Sequence, residues 1–160
     1  MSMETFRRQK GQTIIETAFI LTLLLLILLG ITEFARAWYI KNSLKNSVRQ
    51  GARVGAVTTN NSLPANFTCD NSTNCDDTNL NPIIRAVCCQ PGVPRRSAPE
   101  NTTVTLECKN ESNTVIACNI ITTGGTVRVQ AVTTFFTIVS SFSPWIRSIN
   151  MTTDASMRYE

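Results

Sequence analysis

The chain contains no histidine among its 160 residues, and only 16% of them are charged. Without histidine there is no Ser-His-Asp triad, no H-E-x-x-H zinc site and no imidazole for general acid–base work. A G-x-S-x-G elbow and a P-loop are also missing, and no carboxylates pair on a recognisable scaffold. No two cysteines stand in a C-x-x-C spacing, which removes the usual redox motif and weakens a zinc reading already short of ligands. No enzyme is expected, and no cofactor or metal. The net charge of +4 is mild, and most of the basic excess falls before residue 54. The rest of the chain lacks the basic stripe that nucleic-acid binding calls for.

Proline is absent from Gly11–Val57, and that stretch organises everything else. An almost unbroken apolar run from Thr13 to Ile31 covers the ~30 Å hydrocarbon thickness of a bilayer at ~1.5 Å per helical residue. A segment of different character then continues the helical period from Glu33 to Val57. Ala37, Ile40, Leu44, Val48, Gly51 or Ala52, and Gly55 make one stripe, and Lys41, Lys45, Arg49 and Arg53 make another. Gly51 and Gly55 are the helix-packing candidates, suited to a close backbone approach or to a sheet laid across them. Glu33 and Arg36, three apart, are expected to form a surface pair.

Glu16 is the single ionisable group inside the apolar run, where a carboxylate costs about 2.5–3.5 kcal/mol on insertion scales. Two explanations stand. Glu16 lies about a turn inside the edge and can snorkel to water, or it meets a cation. Arg7, Arg8 and Lys10 precede it, followed by Gly11. A basic leader, Gly, four residues and Glu at the head of an apolar helix resemble the type IV prepilin class of signal, cut after the Gly by a prepilin peptidase. Cleavage would free the amine of Gln12 one helical turn from Glu16.

The wording of the whole stretch is more specific. GQTIIETAFILTLLLLILLGITEFARAWYIKNSLKNSVRQGARVGAV resembles the opening of the TadE-like family of pilus-assembly pseudopilins. The matching positions are Gly11 and Glu16 for processing, and Gly30, Glu33, Phe34, Arg36, Gly51, Ala52 and Arg53 along the helix. Thr17 stands where the family usually has an apolar residue. The ending Ala155-Ser156-Met157-Arg158 also resembles the family's closing strand. The resemblance implies a minor pseudopilin acting in assembly or adhesion of a Tad/Flp-type pilus. Its implied partners are prepilin peptidase, other pseudopilins or pilus subunits, and the inner membrane. The alternative is a single-span or secreted binding module with no pilus role. A signal-peptidase site at Ala35-Arg36-Ala37 would release such a module from Trp38 onward, although the apolar run is longer than a signal sequence needs.

Cys69, Cys75, Cys88, Cys89, Cys108 and Cys118 all follow the span. An even number confined to one side of an anchor reads as disulfides in an oxidising compartment. Lys and Arg on the two flanks of the span nearly balance, so the cysteines decide the orientation: the C-terminal part lies outside the cytoplasm. Vicinal Cys88 and Cys89 are expected to take separate partners, and the sequence leaves the connectivity open.

The expected organisation is a leader over 1–11 and a long helix over 12–57, membrane part about 13–31 and amphipathic part 33–57. An extracytoplasmic domain of α+β, pilin-like class follows over 58–160, disulfide-stabilised and mainly antiparallel. Within it, Thr58–Asn79 reads as a polar, turn-rich loop. Asn81-Pro82 caps a short helix over Ile83–Cys89, closed by Pro91 and Gly92. Strands are expected over Thr102–Cys108, Val115–Ile121, Thr126–Ser141 and Ile149–Arg158. A hairpin turn is expected at Thr122–Gly125, and a break at Ser143-Pro144 before a loop at Trp145.

Overall fold

The computed structural model describes residues 4–58, 66–95, 101–138 and 148–160, with side chains from residue 12 onward. The break at Ser143-Pro144 and the Trp145 loop lie outside these residues, as do the side chains of the basic leader. The chain divides into two units, Met1–Arg36 and Ala37–Glu160.

The first unit is helical. Helix α1 runs over Glu4–Val57, and its apolar stretch is rich in leucine, a strong helix former. Threonine hydroxyls in and beside that stretch are satisfied within the helix. The hydroxyls of Thr17 and Thr22 donate to the carbonyls of Thr13 and Ala18, each at 2.8 Å. Thr32 donates to Leu29 O at 2.8 Å. An apolar medium demands this arrangement, because it offers no water to an unpaired hydroxyl.

In the second unit, Ala37–Val57 of α1 and helix α2 (Pro82–Cys88) pack on one face of an antiparallel sheet. The strands are β1 (Asn66–Cys69), β2 (Thr102–Lys109), β3 (Val115–Ile116), β4 (Thr126–Phe136) and β5 (Ser148–Arg158). The sheet order is β1-β2-β4-β5, with β3 beside β2. β4 pairs along its whole length with β5, from Thr126 opposite Arg158 to Phe136 opposite Ser148. Period-two alternation sorts the side chains: Val104 and Leu106 of β2 and Val127, Val129 and Ala131 of β4 are buried, while Thr103 and Thr105 are exposed. Leu44, Val48 and Ala52 of α1 meet them from the helix side, joined by Ile83 and Val87 of α2.

The end of α1 is closed by side chain and by chain. Thr58 Oγ1 donates to Val54 O at 2.6 Å, and the amide of Glu160 donates to Ala56 O at 3.1 Å. Two carbonyls that a helix end leaves unpaired are thereby satisfied. Tyr159 adds a hydroxyl bond to Thr58 O at 3.0 Å. At α2, Asn81 Oδ1 accepts from Ile83 N at 3.0 Å, Pro82 opens the first turn, and Gly92 adopts a left-handed φ of 81° just beyond.

Three details depart from the sequence reading. The polar stretch before residue 70 contains strand β1, only four residues long and carrying Asn66 and Thr68, too short for a periodic signal. β3 ends at Ile116 and gives way to a 3-10 turn over Cys118–Ile120, where a strand to Ile121 was expected. Cys108 faces Ile116 in the ladder, so an extended β3 would bring Cys118 opposite Leu106, close to where β1 already occupies that edge of β2. Cys118 is bonded to Cys108 instead, and the chain must leave the ladder to reach it. The turn at Thr122–Gly125 does form, with Gly124 at φ 93° and Gly125 N donating to Thr122 O at 3.0 Å. It does not join neighbouring strands, because β2 is the partner of both β3 and β4.

Candidate functional site

At the start of α1 the helix sets Gln12 and Glu16 four residues apart, about 6 Å along the axis and on one face. Both side chains are exposed in the single chain, as are the apolar residues from Ile14 to Ile31. A helix apolar around its whole circumference and exposed over five turns is suited to lipid or to other apolar helices, not to water. α1 is long and apolar enough to cross a membrane.

Glu33 differs from its sequence reading. Its carboxylate reaches Arg36 Nη1 at 3.5 Å, so the expected pair forms, but Glu33 is only 9% exposed while Arg36 stays exposed, and the pair is half-buried. The sequence carried the signal: Glu33, Ala37, Ile40, Leu44 and Val48 follow one another at steps of three and four, which sets Glu33 on the buried stripe.

Beyond Arg36 the two stripes of α1 separate as their spacing implies. Ser43, Leu44, Ser47, Val48, Gly51, Ala52, Gly55 and Ala56 are buried, and Lys41, Lys45, Arg49 and Arg53 are exposed. Like charges at four-residue spacing oppose a helix by ~0.2–0.5 kcal/mol per pair. None of these four cations forms an ion pair among the described residues. Gly51 lies against α2 and the sheet: a Cβ there would collide with Val87 and come within 3.7 Å of Val129. Ser43 Oγ donates to Pro91 O, tying α1 to the turn after α2.

The cysteines join as Cys69–Cys88, Cys75–Cys89 and Cys108–Cys118, with Cα separations of 5.3, 5.7 and 5.1 Å. Cys88 and Cys89 at the end of α2 take different partners, so both ends of the segment 69–75 are fastened to one helix terminus. The residues between them serve turn chemistry. Asp70 Oδ1 accepts from Ser72 Oγ at 2.5 Å and Ser72 N at 2.9 Å. The Ser72 hydroxyl foremost, then the Ser72 amide, holds the Asp70 carboxyl below its ordinary value. Asn74 Oδ1 accepts from Asp76 N at 3.1 Å, and Asp77 Oδ1 from Asn79 N at 2.9 Å. On the outer face of the sheet, Arg128 bridges Glu107 at 3.4 Å and Asp154 at 3.1 Å.

A membrane-capable N-terminal helix that continues into a disulfide-stapled α+β domain is the architecture these residues define. Within it, the N-terminal region is similar to one known family: the family described as TadE-like protein matches residues 11–53, from Gly11 through the last cation of the exposed row. No curated protein and no solved structure matches the chain.

Proposed function

We propose that this chain is a minor pseudopilin of a Tad-type pilus system, cut by a prepilin peptidase between Gly11 and Gln12. The observation that carries this reading is the TadE-like match, which begins at Gly11 and takes in Glu16, the apolar run and the basic row. The chemistry agrees with it. Processing places a free amine one helical turn from the Glu16 carboxylate, and the exposed apolar helix then supplies the surface by which subunits bundle. The domain beyond α1 is extracytoplasmic in this reading, because three disulfides persist in an oxidising compartment. It acts in assembly or adhesion and performs no reaction of its own.

The experiment is intact-mass analysis of membrane-extracted protein from cells with and without an active prepilin peptidase. A mature chain beginning at Gln12, seen only with the peptidase, supports the proposal. A chain beginning at Met1 in both cell types, or at Trp38, defeats it and favours an anchored or secreted binding module.

A further inference from the structure

The turns of α1 that follow the apolar run change character in a fixed order. At steps of three and four residues, Ile31, Phe34, Trp38, Lys41, Lys45 and Arg49 fall in one row along the helix. The row passes from aliphatic to aromatic to cationic, and every member is exposed, Trp38 by 58%. An indole placed between an apolar turn and a basic one matches a membrane boundary, where tryptophan settles at headgroup level and lysine stems run along it to carry their ammonium groups to phosphate. Tyr39, on the adjoining flank, lies with its ring over Gly92, so the turn after α2 braces the helix at the same level.

We propose that Trp38, Lys41 and Lys45 form a lipid-contact site for the phosphate headgroups of the bilayer that α1 enters. The site rests on the reading of α1 as a membrane span. At ~1.5 Å per residue, Lys41 and Lys45 stand about 4.5 and 10.5 Å beyond Trp38 along the axis, and Arg49 and Arg53 about 16.5 and 22.5 Å. With a Debye length of about 8 Å at physiological salt, Lys41 lies within reach of a headgroup layer level with Trp38, Lys45 comes within reach by extending its flexible stem back toward that layer, and Arg49 and Arg53 stand about two or more Debye lengths away.

The test uses the full chain carrying Trp145→Phe, which leaves Trp38 as the one tryptophan of the two in the sequence. It is reconstituted in phosphatidylcholine vesicles, with or without phosphatidylglycerol, with bromine at shallow or deep acyl positions. The expected result is emission to the blue of a water-exposed indole and quenching several-fold stronger by shallow than by deep bromine. In vesicles containing phosphatidylglycerol, Lys41→Glu with Lys45→Glu lowers that quenching, and Arg49→Glu with Arg53→Glu leaves it in place. Protein that floats with the vesicles but whose Trp38 emits as in water overturns the site and spares the span. Equal losses from the two pairs of reversals overturn it as well. So does shielding of Trp38 that rises with protein density in the bilayer, which would assign the row to a protein neighbour. Protein that does not float with vesicles defeats the span and the site together.

Discussion

Gly51 of α1 and Val87 of α2 approach so closely that a single methyl on the glycine would overlap the valine side chain. The approach brings the α1 backbone down onto α2 and β4, and it is what allows Leu44, Val48 and Ala52 to reach the strands' inner residues. Gly51→Ala gains helix propensity of about 1 kcal/mol but overpacks a full core, a change that costs ~1–3 kcal/mol. A net loss is expected, read as a lower thermal midpoint of the detergent-solubilised protein. Val87→Ala alone should also destabilise by opening a cavity. The two together should lose less than their sum, and a fully additive double mutant would show that the contact does not limit the packing.

The three disulfides should differ in weight. Cys69–Cys88 joins β1 to the end of α2 with both residues fully buried, whereas Cys108–Cys118 ends at a half-buried Cys118. By loop entropy the three closed loops differ little, each giving ~3 kcal/mol. The difference comes from the core positions that Cys69 and Cys88 fill. Replacing that pair by serine should lower stability more than replacing Cys108 and Cys118, because it leaves two hydroxyls in the interior. Denaturant midpoints of the two double variants check the order, and thiol labelling of unreduced, denatured wild type should be nearly silent.

Asp70 gives a pH signature. Its folded carboxyl titrates below the ordinary value of 3.8 because the Ser72 hydroxyl and amide bond to its ionised form. A depressed folded pKa contributes stability that is present above the unfolded pKa and is lost as pH falls through the folded one. Stability measured against pH should therefore show wild type ahead of Asp70→Asn near neutrality, with the gap closing at pH values below 3.8. A gap unchanged down to acid conditions would mean that Asp70 acts through shape alone.

Most of the fold could be read from residue spacing, and the exceptions have physical causes. The two stripes of α1, the Asn81-Pro82 cap and the alternating strands β2, β4 and β5 are each set by neighbours within a few residues of one another, so local pattern was enough. β1 was not visible, because four residues containing Asn and Thr become a strand only where Cys69 fastens them to α2 and β2 offers an edge. The early end of β3 depends on which cysteine Cys118 meets, a tertiary fact on which local spacing is silent. At the candidate site, Gly11, Gln12 and Glu16 fall within the TadE-like match over residues 11–53, and the processing proposed for them depends on local sequence alone. Glu33 was placed on the surface by its charge, although its helical phase already set it on the buried stripe.

Glu16 separates an assembly subunit from a merely anchored module. If its carboxylate meets the amine of a processed Gln12, in the same chain or in a neighbour, Glu16→Gln should still insert into the membrane, since removing a charge eases transfer into lipid. Cleavage after Gly11 should be retained or nearly so, because the leader, the Gly and the apolar run are unaltered. Incorporation is the step expected to fail. The variant should accumulate as free subunit, with crosslinks to partner pilus subunits lost and pilus output reduced. A carboxylate that only snorkels to the membrane edge makes no subunit contact, and its removal would leave crosslinking intact. Cleavage, membrane level and partner crosslinking are therefore measured side by side for wild type and Glu16→Gln. Equal crosslinking and equal pilus output at equal protein level would reject the amine–carboxylate pairing and leave the helix as an anchor alone.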